Sequence, residues 1–331
     1  MQTTFERGTV VLSIDTEQIW GYLDFLNEAQ FDAQYPNTFA VHDNLLDRLC
    51  KADVRATWFV VGGMALRESA GNWELRMPGL PSDWVRPIPG GRETTAPLWF
   101  RPSFVERLRD AMPSQEIGLH GGLTHLVWTD TRATREGVRL ELSEGIKALN
   151  RIGVRPVSFS FARNEEAYHE FLPACGIRCF RGSPSGLAWR LGRTIPGAFL
   201  RAAEEWRRAT PPTVWPSEHS SGLWTVPAST FLYPIGAARA RLIALRSRVE
   251  RFRRGLEGAV RNRGIFHFCF HPENLAESPE GFPVLDEILE VLVAARERGD
   301  IEVVAMSDVI DRLEKEQELC AAETALTPGH I

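Results

Sequence analysis

Seven short apolar runs, rich in β-branched and aromatic residues, recur along the chain: Thr9 to Ile14, Ala56 to Val61, Glu116 to Leu119, Pro156 to Phe161, Ile177 to Phe180, Ile265 to Phe270 and Ile301 to Val304. Each has the length and near-continuous apolar character of a strand buried on both faces. Between them, apolar residues fall at helical spacing: Val41, Leu45, Leu46 and Leu49; Val138, Leu140, Leu142, Ile146 and Leu149; Leu285, Ile288, Leu289 and Leu292. Strand alternating with helix predicts a parallel sheet. Seven repeats with polar residues just after the strands favour an α/β barrel over an open sheet.

A length of 331 residues fits either two domains or one barrel. The alternation argues for a single barrel over residues 1–315, with a tail from 316 to 331 that lacks a periodic apolar face and is expected to be mobile. Hydrophobic residues at 44% and charged residues at 24% exclude a disordered chain. The 38 Lys and Arg against 43 Asp and Glu, a net charge of −5, provide no basic balance for nucleic acid. Five scattered cysteines do not form a disulfide framework and fit a reducing compartment. The opening residues show no charged start followed by an apolar core, and no run approaches the roughly 18 apolar residues of a membrane span. A soluble, cytoplasmic protein is expected.

Two segments interrupt the rhythm. Residues 67–102 are rich in Pro, Gly and Trp, and residues 183–236 hold Trp189, Trp206, Trp215 and Trp224. Both are expected to be long insertions serving as lids or binding loops, with a cap packed on the barrel as the alternative. From Arg239 to Arg263 there are nine arginines and no lysine, while Leu242, Leu245, Val249, Phe252 and Leu256 follow a helical stripe. Such a helix either turns its stripe to the core and its charges to water, the reading given more weight, or meets a peripheral membrane surface or lipid phosphate.

Four pieces carry chemistry. Ser13-Ile14-Asp15-Thr16-Glu17 ends the first strand with two carboxylates two positions apart, so that one could hold a metal and the other take a proton. Glu116 to His125 ends a strand in His120, turns through Gly121-Gly122 and presents His125, and paired imidazoles at a strand end suit a divalent ion. Alternatively, His125 serves the following helix and His120 alone is functional. Ile265 to Asn274 carries His267, Cys269 and His271 on one strand face and Phe266, Phe268 and Phe270 on the other. His271 lies at the strand mouth, and His267 lies deeper. Phe161-Ala162-Arg163-Asn164 brings an Arg-Asn pair to another strand end, where Arg163 could hold a carboxylate.

In this order the four pieces resemble the polysaccharide deacetylase family, also called the NodB-homology or carbohydrate esterase family 4 group, over roughly Thr9 to Leu313. The resemblance implies a NodB-like distorted (β/α)7-type barrel. The family's Asp-Asp, base then metal ligand, stands here as Asp15-Thr16-Glu17. Its His-[Ser/Thr]-x-x-His stands as His120 to His125 with one extra residue, absorbed by the two glycines. Its base-orienting Arg corresponds to Arg163, with Ala162 in place of the usual Pro, and its acid to His271 before Pro272. The fourth family motif, an Asp that tunes the acid, has no counterpart here.

By this resemblance Glu17, His120 and His125 bind a divalent metal, zinc foremost with cobalt, nickel or iron as alternatives. Asp15, His271 and Arg163 are the catalytic residues, and Asn164, Trp20 and His267 the candidates for substrate contact. The implied partner is an N-acylated sugar or glycoconjugate, which the protein deacetylates by hydrolysis. Two other readings stay open, a hydrolase of a non-sugar amide or N-formyl group, and a catalytically silent carbohydrate-binding barrel.

Overall fold

In the computed structural model, residues 5–185, 189, 191, 194–220, 222–233, 244–276 and 278–326 are described. Strand β1, Gly8–Thr16, is buried along its whole length and organises the sheet. One edge pairs with β11 (Ile265–Phe270), from Thr9 opposite Ile265 to Ile14 opposite Phe270. The other edge is shared. Gly8 to Val11 pair with β12 (Ile301–Val304), and Ser13 to Thr16 with β2 (Thr57–Val60). The sheet continues in parallel through β5 (Glu116–His120), β6 (Ser158–Ser160) and β7 (Cys179–Gly182). Helices Thr38–Lys51 and Arg135–Arg151 make crossovers and bury the apolar stripes read from the sequence.

The two ends of this curled sheet are joined by one segment that changes neighbour midway. Strand β9 (Leu223–Pro227) lies parallel to β7. The chain then steps across: Ala228 N–H donates to Gly182 O at 2.9 Å and Ser229 N–H to His267 O at 2.8 Å. Strand β10 (Thr230–Phe231) then runs parallel to β11. Among the described residues, seven strand positions thus surround an interior: the barrel expected from the alternation, in the distorted (β/α)7-type form that the resemblance implied.

Within the expected insertion 183–236, therefore, residues 223–231 are barrel wall. Their short Leu-Trp-Thr-Val-Pro run, set among Gly, Ser and Pro, has the local pattern of a loop, and only its two neighbours make it a strand. Strand β8 (Ser217–Ser220) is an antiparallel flap on β9. The other interruption, 67–102, forms short helices and a two-stranded ribbon of β3 (Glu68–Ser69) and β4 (Gly91–Arg92). Its Trp73, Trp84 and Trp99 are buried in the main core, so these rings serve packing and are not displayed to a ligand.

The arginine-rich helix spans Leu245–Asn262; of the stretch 239–263 read from the sequence, residues 239–243, Leu242 among them, lie outside the described residues. Val249, Phe252 and Leu256 face inward, with the Phe252 ring 5.2 Å from Phe266 and 5.0 Å from Phe268. The stripe is a core contact. Of the tail expected from 316 to 331, residues 316–326 continue the helix Met306–Leu326, whose Met306, Val309, Ile310 and Leu313 are buried, and residues 327–331 lie outside the described residues. Among the described residues no helix is long and apolar enough to cross a membrane.

Candidate active site

The strands end in register. His120 stands level with Ser160, and Ser160 with Arg181, across three neighbouring strands. Alternation along β1 turns Ser13 and Asp15 to the interior. There the Asp15 carboxylate meets the Arg181 guanidinium in a bidentate pair, Nη1 to Oδ1 at 2.6 Å and Nη2 to Oδ2 at 2.7 Å, and both side chains are sealed from solvent. Arg181 also donates to Ser13 Oγ at 3.2 Å and to Asn164 Oδ1 at 3.3 Å, and lies over the Phe59 ring. Burial acts to raise the Asp15 carboxyl, but Arg181, with His120 and His271, holds it below the usual carboxylate range.

Deeper in the barrel, His267 Nδ1–H donates to Pro227 O at 3.1 Å, which leaves Nε2 to accept from the Ser13 hydroxyl at 2.8 Å. Burial and the nearby Arg181 push its imidazole down to about 3, so it stays neutral. Burial likewise pushes the Cys269 thiol up to about 12. His267 is thus buried in the interior with both nitrogens engaged, where the sequence reading had listed it as a candidate for substrate contact.

Above this floor, just past the end of β1, one oxygen of Glu17 is surrounded by imidazoles. From Glu17 Oε1, His120 Nε2 lies at 2.7 Å, His271 Nε2 at 3.0 Å and His125 Nε2 at 3.3 Å. His120 and His125 face each other Nε2 to Nε2 at 3.3 Å. His120 Nδ1–H donates to Ser160 O at 2.9 Å, so in the neutral ring Nε2 carries a bare lone pair. That lone pair points at a carboxylate oxygen. Two acceptors at 2.7 Å repel unless a proton or a cation is shared between them, and a carboxylate with two imidazoles is a donor set for zinc and its first-row neighbours. The residues therefore fit a divalent metal. Glu17, His120 and His125 bring ligand atoms within 4.8 Å of one another, as do Asp15, Glu17 and His271. Burial acts to lower the His271 imidazole, but Glu17 and Asp15 outweigh it and raise it to about 9.

Backbone strain gathers here. Gln18, His125, Arg163 and Asn164 all have positive φ, between 49° and 62°. Such conformations persist only where the surroundings enforce them.

Arg163 departs from its expected place. Past the end of β6 its left-handed turn carries the side chain along the rim to pair with Asp24, near the Phe25 ring, and it does not meet Asp15. Arg181, which the motif reading missed, holds that carboxylate. An arginine in the short Cys179-Phe180-Arg181-Gly182 strand, on the same face as Cys179, is the signal that could have found it. The Asn164 amide oxygen braces Arg181. Trp20 is fully buried, with Nε1 donating to Trp99 O at 2.7 Å and its ring edge-on to Trp73 and Trp99. It therefore belongs to the core and not to a substrate surface.

No protein-family model matches the sequence, and no curated protein does. The fold, in contrast, has solved counterparts. A Mycobacterium smegmatis protein named as a polysaccharide deacetylase superposes with a TM-score of 0.62 at 16% identity, covering 100% of this chain and 96% of that one. A Pseudomonas aeruginosa PAO1 protein named likewise gives 0.58 at 9% identity, covering 93% and 91%. The Puue allantoinase gives 0.58 at 10% identity, covering 92% and 89%. The chain has the fold of the polysaccharide deacetylases.

Proposed function

We propose that the protein is a metal-dependent hydrolase that removes an N-acyl group, foremost N-acetyl, from a sugar-containing substrate. The observation that carries this reading is the convergence of three imidazole Nε2 atoms on Glu17 Oε1, beside a carboxylate held by Arg181. Glu17, His120 and His125 are the metal ligands of the proposal. A divalent cation bound there would lower the pKa of a water and polarise an acyl carbonyl.

The protein's own groups supply the proton transfers. Asp15 keeps its carboxylate ionised and fixed in direction by Arg181, so a free lone pair can accept the proton of an attacking water. His271 Nε2, 3.8 Å from Asp15 Oδ2, is placed to hand a proton to the departing amine nitrogen. Water adds to the acyl carbon, the C–N bond breaks, and a carboxylic acid and an amine leave. Beside His271 the Phe231 ring at 5.2 Å, with Tyr233 and Trp189 behind it, offers apolar faces of the kind on which sugar rings stack.

The likeness to an allantoinase supports a second reading, hydrolysis of a non-sugar amide by the same groups. Elemental analysis paired with acid release from N-acetylated sugars, nucleotide sugars, glycolipids and simple cyclic and linear amides tests both. Near-stoichiometric metal with acetate release from a sugar supports the first reading, and turnover of only non-sugar amides the second. No metal and no turnover would overturn both in favour of a silent carbohydrate-binding barrel.

A further inference from the structure

The two imidazoles proposed as ligands are held in different ways. His120 has an orienting partner of its own in Ser160 O. His125 Nδ1 is buried with no hydrogen-bond partner among the described residues. Metal-binding histidines usually have the second nitrogen tied to an acceptor, which sets the ring's direction. For His125, the hydrogen bonds among the described residues act instead on the backbone at either side of it.

That backbone is clasped by Glu141, a fully buried carboxylate in the middle of helix Arg135–Arg151. Its Oε1 accepts from Thr124 N–H at 2.7 Å, Thr124 Oγ1 at 2.9 Å and Leu126 N–H at 3.4 Å, so it grips the residues on both sides of His125. The Glu141 main-chain carbonyl takes Leu123 N–H at 3.1 Å. The loop is pressed against this side chain: a Cβ on Gly122, where φ is +132°, would come within 2.7 Å of Glu141 Cγ. Gly62 and Gly63 N–H donate to Gly122 O and Leu123 O, both at 2.8 Å, and Trp84 Nε1 donates to Thr124 Oγ1 at 3.1 Å. The turn that accommodates the extra residue between the two histidines is thus held from the helix side by one acidic side chain, whose hydrogen bonds go to Thr124 and Leu126.

We infer that Glu141 is a positioning residue that places His125 for metal binding by holding the 121–126 turn. This rests on the metal-site reading above. The length of the side chain matters more than its charge, because Oε1 is the working atom. Glu141→Gln keeps that acceptor, whereas Glu141→Asp keeps the charge and withdraws the oxygen by a methylene. Glu141→Ala removes it.

The test is a competition titration of metal-free wild type and the three variants with Co2+ against a chelating dye, recording the visible Co2+ bands and the melting temperature of each metal-free protein. The Asp variant, and Ala if it folds, should bind Co2+ about 10- to 100-fold more weakly, with altered bands. Gln should stay within about threefold of wild type. An Asp variant that melts lower yet binds Co2+ as tightly as wild type, with the same bands, would reduce Glu141 to a structural residue and overturn the inference. Wild type that binds no Co2+ would instead overturn the metal-site reading from which it starts.

Discussion

The floor and the rim of the barrel mouth contain the same kinds of residue, yet they are built on opposite principles. On the floor, these groups pair donor with acceptor: Asp15 has Arg181, Ser13 stands between Arg181 and His267, and His267 reaches Pro227 O. At the rim, the bare Nε2 of His120 faces an acceptor, Glu17 Oε1, and His125 Nε2 lies within 3.3 Å of both. A buried carboxylate with both oxygens held by a guanidinium has its charge compensated in place. The facing pair at the rim is complete only with a cation or a proton shared between its two acceptors. Two carboxylates two residues apart thereby stand in different surroundings, Asp15 beside a guanidinium and Glu17 among imidazoles.

Substitutions can break this contrast. The largest effect should come from the rim: His120→Ala is expected to abolish metal uptake, read by elemental analysis, and turnover with it. Retention of a full metal equivalent would mean that the rim does not work as a ligand set. Next, Asp15→Asn should retain the metal while lowering turnover about 10²- to 10⁴-fold. Loss of metal in that variant would move Asp15 from base to ligand.

On the floor, Arg181→Met leaves the buried Asp15 charge without its cation and should cost about 3–5 kcal/mol in urea unfolding. A loss under 1 kcal/mol would show that Asp15 does not depend on that pair. His267 sharpens the contrast through pH. Its folded value of about 3 lies below the unfolded 6.5, so the unfolded chain binds the extra proton and stability should fall as pH drops below 6.5. The slope should approach about 1.4 kcal/mol per pH unit. A His267→Asn variant should lose less between pH 7 and 5, and equal losses would remove His267 as the cause. The smallest effect belongs to Arg163→Ala, whose half-exposed pair with Asp24 should contribute no more than about 1 kcal/mol. A hundredfold drop in turnover there would return Arg163 to the chemistry.

The strands were legible because parallel strands buried on both faces must be apolar throughout, and all seven runs are strands of the sheet. Glu17, His120 and His271 were conspicuous because each stands at or just past the end of such a run, a polar side chain in an apolar context, and His125 through its pairing with His120 across the Gly121-Gly122 turn. Arg163 misled because a motif places a residue in sequence but not in direction: one turn of positive φ sends its side chain to Asp24. The barrel's closing strand was not legible for a related reason. Residues 223–231 are strand only by virtue of β7 on one side and β11 on the other, and neither partner is near in sequence.

The sequence by itself determined the class of fold and the identity of the polar groups at the strand ends, since both follow from periodicity and local chemistry within a few residues. Only the tertiary structure decided which guanidinium holds Asp15, which nitrogen of His120 is bare, and that a glutamate sixteen residues beyond His125 holds its turn. Those are matters of register between strands and of atoms meeting at about 3 Å, and such distances are fixed only when the sheet has curled and the helices have packed upon it.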